Sequence, residues 1–232
     1  MFLRNAFIMN RFLDNIVWHS LSGPQRKFSV GADDIRRFAR GFSPIIGFAN
    51  PETPGLEKLA PYCETGEQLY CSGWSGPVPS GWQIDEEATM FRMVWQGSIP
   101  ADNGLEAVRL GAQHAAQAVE LAILTRPGPF GIRTIELGEY FGFFEGDRLV
   151  AMGGERFYAG SLREISDVCT HPDFQGRGFA RRIMTLLICR QLKRNETPFL
   201  HVMRDNTHAR DLYNRIGFSD YCETVVRIIS RS

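Results

Sequence analysis

Apolar positions fall into short runs over the first part of the chain and into longer, more regular patterns after it. In the first part, residues 28–30, 45–48 and 68–71 have the length and apolar content of strands. Residues 33–42 and 54–62 read as helices, with Asp33 and Asp34 as N-terminal caps of the first and Pro54 in the opening turn of the second. The Gly, Pro and Ser-rich stretch from Cys71 to Trp82 reads as a loop or linker. Trp74 and Trp82 within it are expected to cover apolar surface, with a place at a substrate mouth as the alternative.

The second part predicts a fuller set of elements. Residues 90–95 read as a strand, and 111–125 as an Ala- and Leu-rich helix stopped by Arg126-Pro127-Gly128-Pro129. Strands at 140–144 and 148–152 flank Glu145-Gly146-Asp147, a hairpin signal. Gly153-Gly154 predicts a bulge or a close backbone approach. Strand 164–170 leads into a helix at 179–194 that is apolar on most of its circumference and should be well buried. A strand at 198–203, a short helix at 207–216 ended by Gly217, and a last strand at 220–229 complete the chain. If exposed, that last strand would offer an edge for pairing with a second chain.

The stretch Gln175-Gly176-Arg177-Gly178-Phe179-Ala180 joins a strand to the buried helix. The first N–H groups of a helix have no internal acceptor, and the helix dipole places roughly half a positive charge there. With Cβ atoms missing at two positions, those groups suit an anion such as a pyrophosphate. No Lys-Ser/Thr follows the glycines, so this is not a Walker loop. The third glycine and the downstream acid of a dinucleotide fold are also absent.

Two motifs together give the chain a resemblance. Gln175-x-x-Gly178-x-Ala180 resembles the pyrophosphate loop of the GNAT superfamily of acyl-CoA-dependent N-acetyltransferases. Asn206-x-x-Ala209-x-x-Leu212-Tyr213-x-x-x-Gly217-Phe218 resembles its C-terminal signature. The resemblance covers residues 88–232 and implies an α/β (α+β) fold, with a mixed, mostly antiparallel central sheet flanked by helices. Residues 1–87 are expected to form a separate small α/β region, similar to a degenerate GNAT-like half.

The resemblance also implies roles. Val168, Cys169 and Thr170 would pair with the pantetheine arm of acetyl-CoA on a splayed strand. Gln175, Gly176, Arg177, Gly178, Phe179 and Ala180 would hold its pyrophosphate, and Asn206 would contact the same co-substrate. Arg177, Arg181 and Arg182 are candidates for its phosphates. Tyr213 would be the general acid for the departing thiolate, a job suited to a phenol with an ordinary pKa of about 10. Direct attack of a primary amine in a ternary complex is implied. A backbone N–H, that of Val168 or Cys169, would serve the oxyanion. Glu164, four residues before Val168, is the candidate base if no bulge intervenes; the competing reading is an ion pair at the strand start. His171 and His201 are the other candidates and read as structural. Cys169 has no visible His–Asp partner for a covalent route. A non-catalytic acyl-CoA sensor of the same fold is the alternative function.

Composition narrows the picture without redirecting it. Lys+Arg and Asp+Glu are 26 each, so no bulk attraction to nucleic acid or a membrane surface is expected. Five dispersed cysteines without a CxxC suit reduced thiols in a cytoplasmic protein and give no zinc pattern; no metal is expected. No apolar run reaches the ~18 residues of a membrane span. The first residues read as an ordinary helix or extension rather than a targeting signal. The acceptor is expected to be a small molecule rather than a protein, its pocket shaped by the first part and by residues 105–133.

A side chain at Gly178 should close the anion loop. A ligand at 100 times its Kd stabilises a fold by about 2.7 kcal/mol. Acetyl-CoA is therefore expected to raise the melting temperature of the native protein and to leave Gly178→Glu unchanged, as differential scanning fluorimetry would read.

Overall fold

The structure is a computed structural model and describes residues 11–100 and 106–232. Most of the expected N-terminal helix, and Leu105 of the expected pocket loop, lie outside the described residues. Residues 11–14 are helical, and α1 (Ile16–Ser22) follows, then β1 (Ser29–Gly31), β2 (Ile35–Phe38) and β3 (Ile45–Phe48). Next come α2 (Leu56–Leu59), β4 (Leu69–Ser72), β5 (Trp82–Trp95) and β6 (Val108–Arg109). Then follow α3 (Ala115–Thr125), β7 (Tyr140–Glu145), β8 (Arg148–Ala159) and β9 (Leu162–Thr170). The chain closes with α4 (Phe179–Lys193), β10 (Thr197–Met203), α5 (Thr207–Ile216) and β11 (Phe218–Arg231).

The strands form one sheet in the order β1-β2-β3-β4-β11-β5-β10-β9-β8-β7-β6. Pairing is antiparallel except at β3/β4 and β9/β10. The mixed α/β fold implied by the sequence is thus present. A repeated pattern runs through it. β1, β2 and β3 pair antiparallel in succession, and β3 crosses over through α2 to parallel β4. β7, β8 and β9 do the same, and β9 crosses over through α4 to parallel β10. Between the two sets lie β11 and β5, each paired with the other along most of its length. β11 follows the second set in sequence yet borders β4 of the first, and β5 follows the first yet borders β10 of the second.

Two expectations are corrected here. Residues 33–42 hold strand β2, not a helix. Arg36 and Arg37 are buried strand residues with hydrogen-bonded guanidinium groups. Arg36 Nε donates to Ser29 Oγ at 2.8 Å, and Arg37 forks onto the Glu67 carboxylate. The last strand is not an exposed edge, because β11 has β4 on one side and β5 on the other. β4 covers β11 only over Val226–Ile229.

Trp74 and Trp82 are buried against Phe48, Leu56 and Ile229, as the covering role predicted. A second core joins both parts of the sequence: Leu13, Ile16, Leu21 and Phe38 pack with Val94, Phe157, Leu162 and Phe199. Phe38 stacks on Phe157 with ring centroids 5.6 Å apart. The expected division at 87/88 falls inside β5. Removing a buried Phe ring costs about 3–5 kcal/mol. Phe157→Ala is therefore expected to lower stability by that amount in a single transition carrying both parts, and calorimetry would test it by the absence of a second peak.

Candidate active site

The site begins where two parallel strands part. β9 and β10 pair only through Leu162–Glu164 and Thr197–Phe199, after which they separate. Val168, Cys169 and Thr170 lie beyond the last of those pairs and line the cleft that opens there. On its other side β9 stays on β8, with a bulge. Met152 pairs with Cys169 but Gly154 with Ser166, so β9 carries an extra residue. Asp167 takes it up with φ +56°. A left-handed backbone is uncommon outside Gly, and Asp tolerates it better than most residues. The bulge also breaks the alternation that would have placed Glu164 and Val168 on one face.

The anion loop leaves the end of β9. Gly176 and Gly178 both have φ +77°, a conformation that favours Gly, and the space where each Cβ would stand is open. The helix ladder outside α4 begins with Arg182 N–H to Gly178 carbonyl at 3.1 Å, so the amides of Phe179 and Ala180 precede it. Gln175, Gly176, Gly178, Phe179 and Ala180 line the cleft. Arg177 does not; it pairs with Glu145 at 3.1 Å and covers the Phe174 ring. Arg182 pairs with Glu106, whereas the exposed Arg181 lines the cleft. The two glycines and the start of α4 thus border one open cleft. The cleft of about 1640 Å³ continues past Asn206 and Tyr213 to Tyr70, Ser72, Glu86 and Ile228 of the first set of strands. Asn206 caps α5, its Oδ1 accepting from Ala209 N–H at 3.1 Å.

Tyr213 projects from α5 into the cleft and meets the Phe218 ring. Burial, with the Cys169 thiol nearby, pushes its hydroxyl up to about 12, so it carries a proton throughout the physiological range. Burial likewise pushes the Cys169 thiol up to about 12, which leaves it a poor nucleophile.

Glu164 is wholly buried, and its carboxylate is fully committed. It accepts from Arg156 Nε and Nη2 at 3.1 and 3.0 Å. It also accepts from Phe157 N–H at 3.2 Å and lies 2.7 Å from His201 Nδ1. The Phe157 amide belongs to a second bulge, on β8, where Glu155 pairs with Ile165 but Tyr158 with Arg163. Burial opposes ionisation of Glu164, but the Arg156 charge and the His201 and Arg156 hydrogen bonds outweigh it and hold the carboxyl at about 2. A carboxylate so stabilised is a weak base. Burial pushes His201 below its ordinary value, against the pull of Glu164, and its Nε2 accepts from Arg92 at 3.0 Å. His171 is tied to Arg148 and to the Asp173 amide.

Sequence reasoning missed Asp167. Its Oδ2 accepts from the Tyr140 hydroxyl at 2.7 Å, while Oδ1 is buried without a hydrogen bond, 3.9 Å from Arg156 Nη1. Burial raises its pKa over the opposing Arg156 charge, 3.9 Å away, and the Tyr140 hydroxyl. Only Gly153-Gly154 carried a trace of this arrangement. A Cβ at Gly154 would stand 2.2 Å from the Tyr140 ring, so glycine is what lets Tyr140 reach Asp167. Among the described residues, no group of three or more His, Cys, Asp or Glu is placed to hold a metal ion. No described helix is long and apolar enough to cross a membrane.

Splayed parallel strands, a glycine anion cradle and a cleft-lining tyrosine define the acyl-CoA-dependent acetyltransferase fold. The comparisons agree. The FR47-like protein family model matches residues 140–228, from β7 to β11. A solved structure described as an acetyltransferase from the GNAT family of Novosphingobium aromaticivorans is 30% identical, covering 95% of this chain and 98% of that one, with a TM-score of 0.84. A GCN5-related N-acetyltransferase-like protein from Streptococcus suis superposes with a TM-score of 0.61 at 14% identity over 97% of this chain and 99% of that one. A GCN5-related N-acetyltransferase from Kribbella flavida does so at 0.61 and 12% identity, over 94% and 95%. No curated protein matches the sequence. The chain belongs to the GNAT family of acetyltransferases.

Because Glu164 is depressed from 4.5 to about 2, its stabilisation is present above pH 4.5 and lost as the pH falls toward 2. The magnitude is about 3 kcal/mol. Asp167, raised by burial, works in the opposite sense, so the comparison is with Glu164→Gln. That variant is expected to be about 3–5 kcal/mol less stable at neutral pH, since it breaks a buried ion pair. The gap should narrow between pH 4.5 and 2 in denaturant melts.

Proposed function

We propose that this protein transfers an acetyl group from acetyl-CoA to a primary amine by direct attack in a ternary complex. The observation that carries the reading is a single cleft joining the Gly176–Gly178 cradle, the parted strand β9 and the Tyr213 hydroxyl. In this reading the amides of Gln175 to Ala180 hold the pyrophosphate, and the free edge of Val168 to Thr170 pairs with the pantetheine arm. Asn206, whose Oδ1 caps α5, keeps its amide group for the same co-substrate. The N–H of Val168 or Cys169 serves the oxyanion. The amine nitrogen bonds to the thioester carbon and the C–S bond breaks. Tyr213 gives its proton to the departing thiolate. Glu164 does not act as the base; it holds Arg156, His201 and the β8 bulge in place.

Residues 1–87 are, on this reading, a degenerate half of the same kind. The matching succession of β1–β4 and β7–β10 supports it, and so does the exchange of β5 and β11 between the two sets. The half keeps the sheet but lacks the cradle, because its crossover α2 has only 4 residues. It supplies the acceptor side of the cleft, and an acceptor of small-molecule size fits there. The absence of a disulfide among the described residues suits a cytoplasmic setting.

Tyr213→Phe tests the chemistry. Loss of a general acid costs about 10²–10⁴-fold in rate. The variant is expected to bind acetyl-CoA as the native protein does and to lose at least 100-fold in kcat on a thiol-release assay with a panel of primary amines. Unchanged kcat with an accepted amine would remove Tyr213 from the mechanism.

A further inference from the structure

The first set of strands walls the far half of the cleft, and its register decides which side chains face inward. Residues directly opposite one another on paired strands share a face of the sheet. Glu86 of β5 pairs with Ile228 of β11, and Ile228 pairs with Tyr70 of β4. Ala88, Val226 and Ser72 form the next such row. All six line the cleft. The neighbours between the rows point the other way. Glu87 accepts from Arg227 Nε at 2.7 Å, and Arg227 covers the Trp74 ring in the core on the far side.

Glu86 is the middle of three consecutive acids, and the other two are spent. Asp85 Oδ1 accepts from Gln83 Nε2 at 2.8 Å and from Ser230 Oγ at 3.0 Å, and Glu87 holds Arg227. The Glu86 side chain is exposed and makes no hydrogen bond or ion pair among the described residues. It does reach Tyr70, whose hydroxyl is pushed up by burial first and by the Glu86 charge second. Asp167, the other acid among the described residues lining the cleft, is buried with Tyr140 and Arg156 against it. Glu86 is therefore the lining carboxylate that an incoming molecule can meet. The exposed basic residues of the lining stand elsewhere. Arg181 is on α4, His208 and Arg215 are on α5, and Arg126 ends α3 two residues before Gly128, which borders Asp167. None of them pairs with Glu86.

The position is also remote from the parted strands. β5 has β10 as a neighbour only as far as Met90, and Glu86 lies four residues beyond it. At ~3.4 Å per residue that is ~13 Å of strand. The floor over this distance is apolar: Met90, Ala88 and Val226. An ionised carboxylate can only accept hydrogen bonds, and an ammonium group is attracted both to it and to the face of an aromatic ring.

We propose that Glu86 is a specificity-determining residue that binds a second cationic group of the acceptor, with the Tyr70 ring beside it. The inference rests on the acyltransfer reading. The acceptor class is then a primary amine with another ammonium group several methylenes away, an aliphatic diamine or polyamine. Its methylene chain lies on the apolar floor.

The test compares n-butylamine, putrescine and spermidine as acceptors of the native protein, Glu86→Gln and Glu87→Gln. Glu86 is exposed, so Glu86→Gln is expected to melt with the native protein. An ion pair that remains partly exposed is worth about fivefold in affinity at most solvated sites of this kind. The native protein is expected to favour spermidine over n-butylamine by about fivefold or more in kcat/KM, mainly through KM. Glu86→Gln should bring that ratio to within about twofold of one. Glu87→Gln removes the same charge from the opposite face and should keep the native ratio. A native ratio near one, a ratio that survives in Glu86→Gln, or one that falls equally in Glu87→Gln overturns the proposal. A second readout does not need turnover. In the presence of CoA, the three amines are titrated into each form by calorimetry. Preferential spermidine binding by the native protein that is lost in Glu86→Gln sustains the proposal even if no acetyl transfer is seen, and the acyltransfer reading then fails alone. Acetyl transfer to all three amines without preference leaves that reading standing and sinks the assignment of Glu86, as does a native protein that binds no spermidine.

Discussion

The carboxylate of Glu164 sits where the sheet changes character, and much of the site depends on what it holds. It fills the Arg156 fork, accepts the Phe157 amide left free by the β8 bulge, and orients His201. Its own residue is the last on β9 to pair with β10. Ahead of it the strands are a closed parallel ladder, and beyond it they part. A charge buried this deeply is tolerated only because every lone pair finds a donor. The ion pair is thus the hinge between the core of the sheet and the open cleft.

Past that hinge the cleft is shaped by places where side chains are missing or backbone is strained. Gly154 gives up its Cβ to the Tyr140 ring, and Tyr140 uses the room to reach Asp167. Gly176 and Gly178 turn the chain through left-handed conformations into α4 and leave its first amides facing open space. The two acids of β9, three residues apart, are perturbed in opposite directions. Glu164 is surrounded by donors and is held ionised, whereas burial raises Asp167, which has the Tyr140 hydroxyl on one oxygen and Arg156 at 3.9 Å from the other. The bulge between them separates their environments.

The exchange of β5 and β11 explains why the chain cannot be read as two beads. Each set of strands is completed by the long strand of the other, and the core around Phe38 and Phe157 belongs to both. The cleft inherits this. Its cradle comes from the loop before α4, and its far wall from β4, β5 and β11.

Local chemistry was legible because it depends on neighbours in sequence. The QGRGFA loop, the α5 face carrying Tyr213 and the β7–β8 turn are fixed within a few residues, so their spacing is their signal. Residues 33–42 failed for the converse reason: Asp33 and Asp34 look like helix caps until β1 and β3 pair with Ile35–Phe38 on either side. The interior place of β11 depended on pairing with β4, some 150 residues distant. The base candidate turned on a single inserted residue. Alternation carries Glu164 to the face of Val168 only in an unbroken strand, and the bulge at Asp167 breaks it. A bulge is a property of two strands in register, which one strand's sequence does not contain. The sequence by itself determined the family and placed the two glycines before α4 and Tyr213 on α5. How Glu164 and Asp167 are partnered was decided by tertiary structure, because their burial and the partners that meet them arrive from β7, β8 and β10.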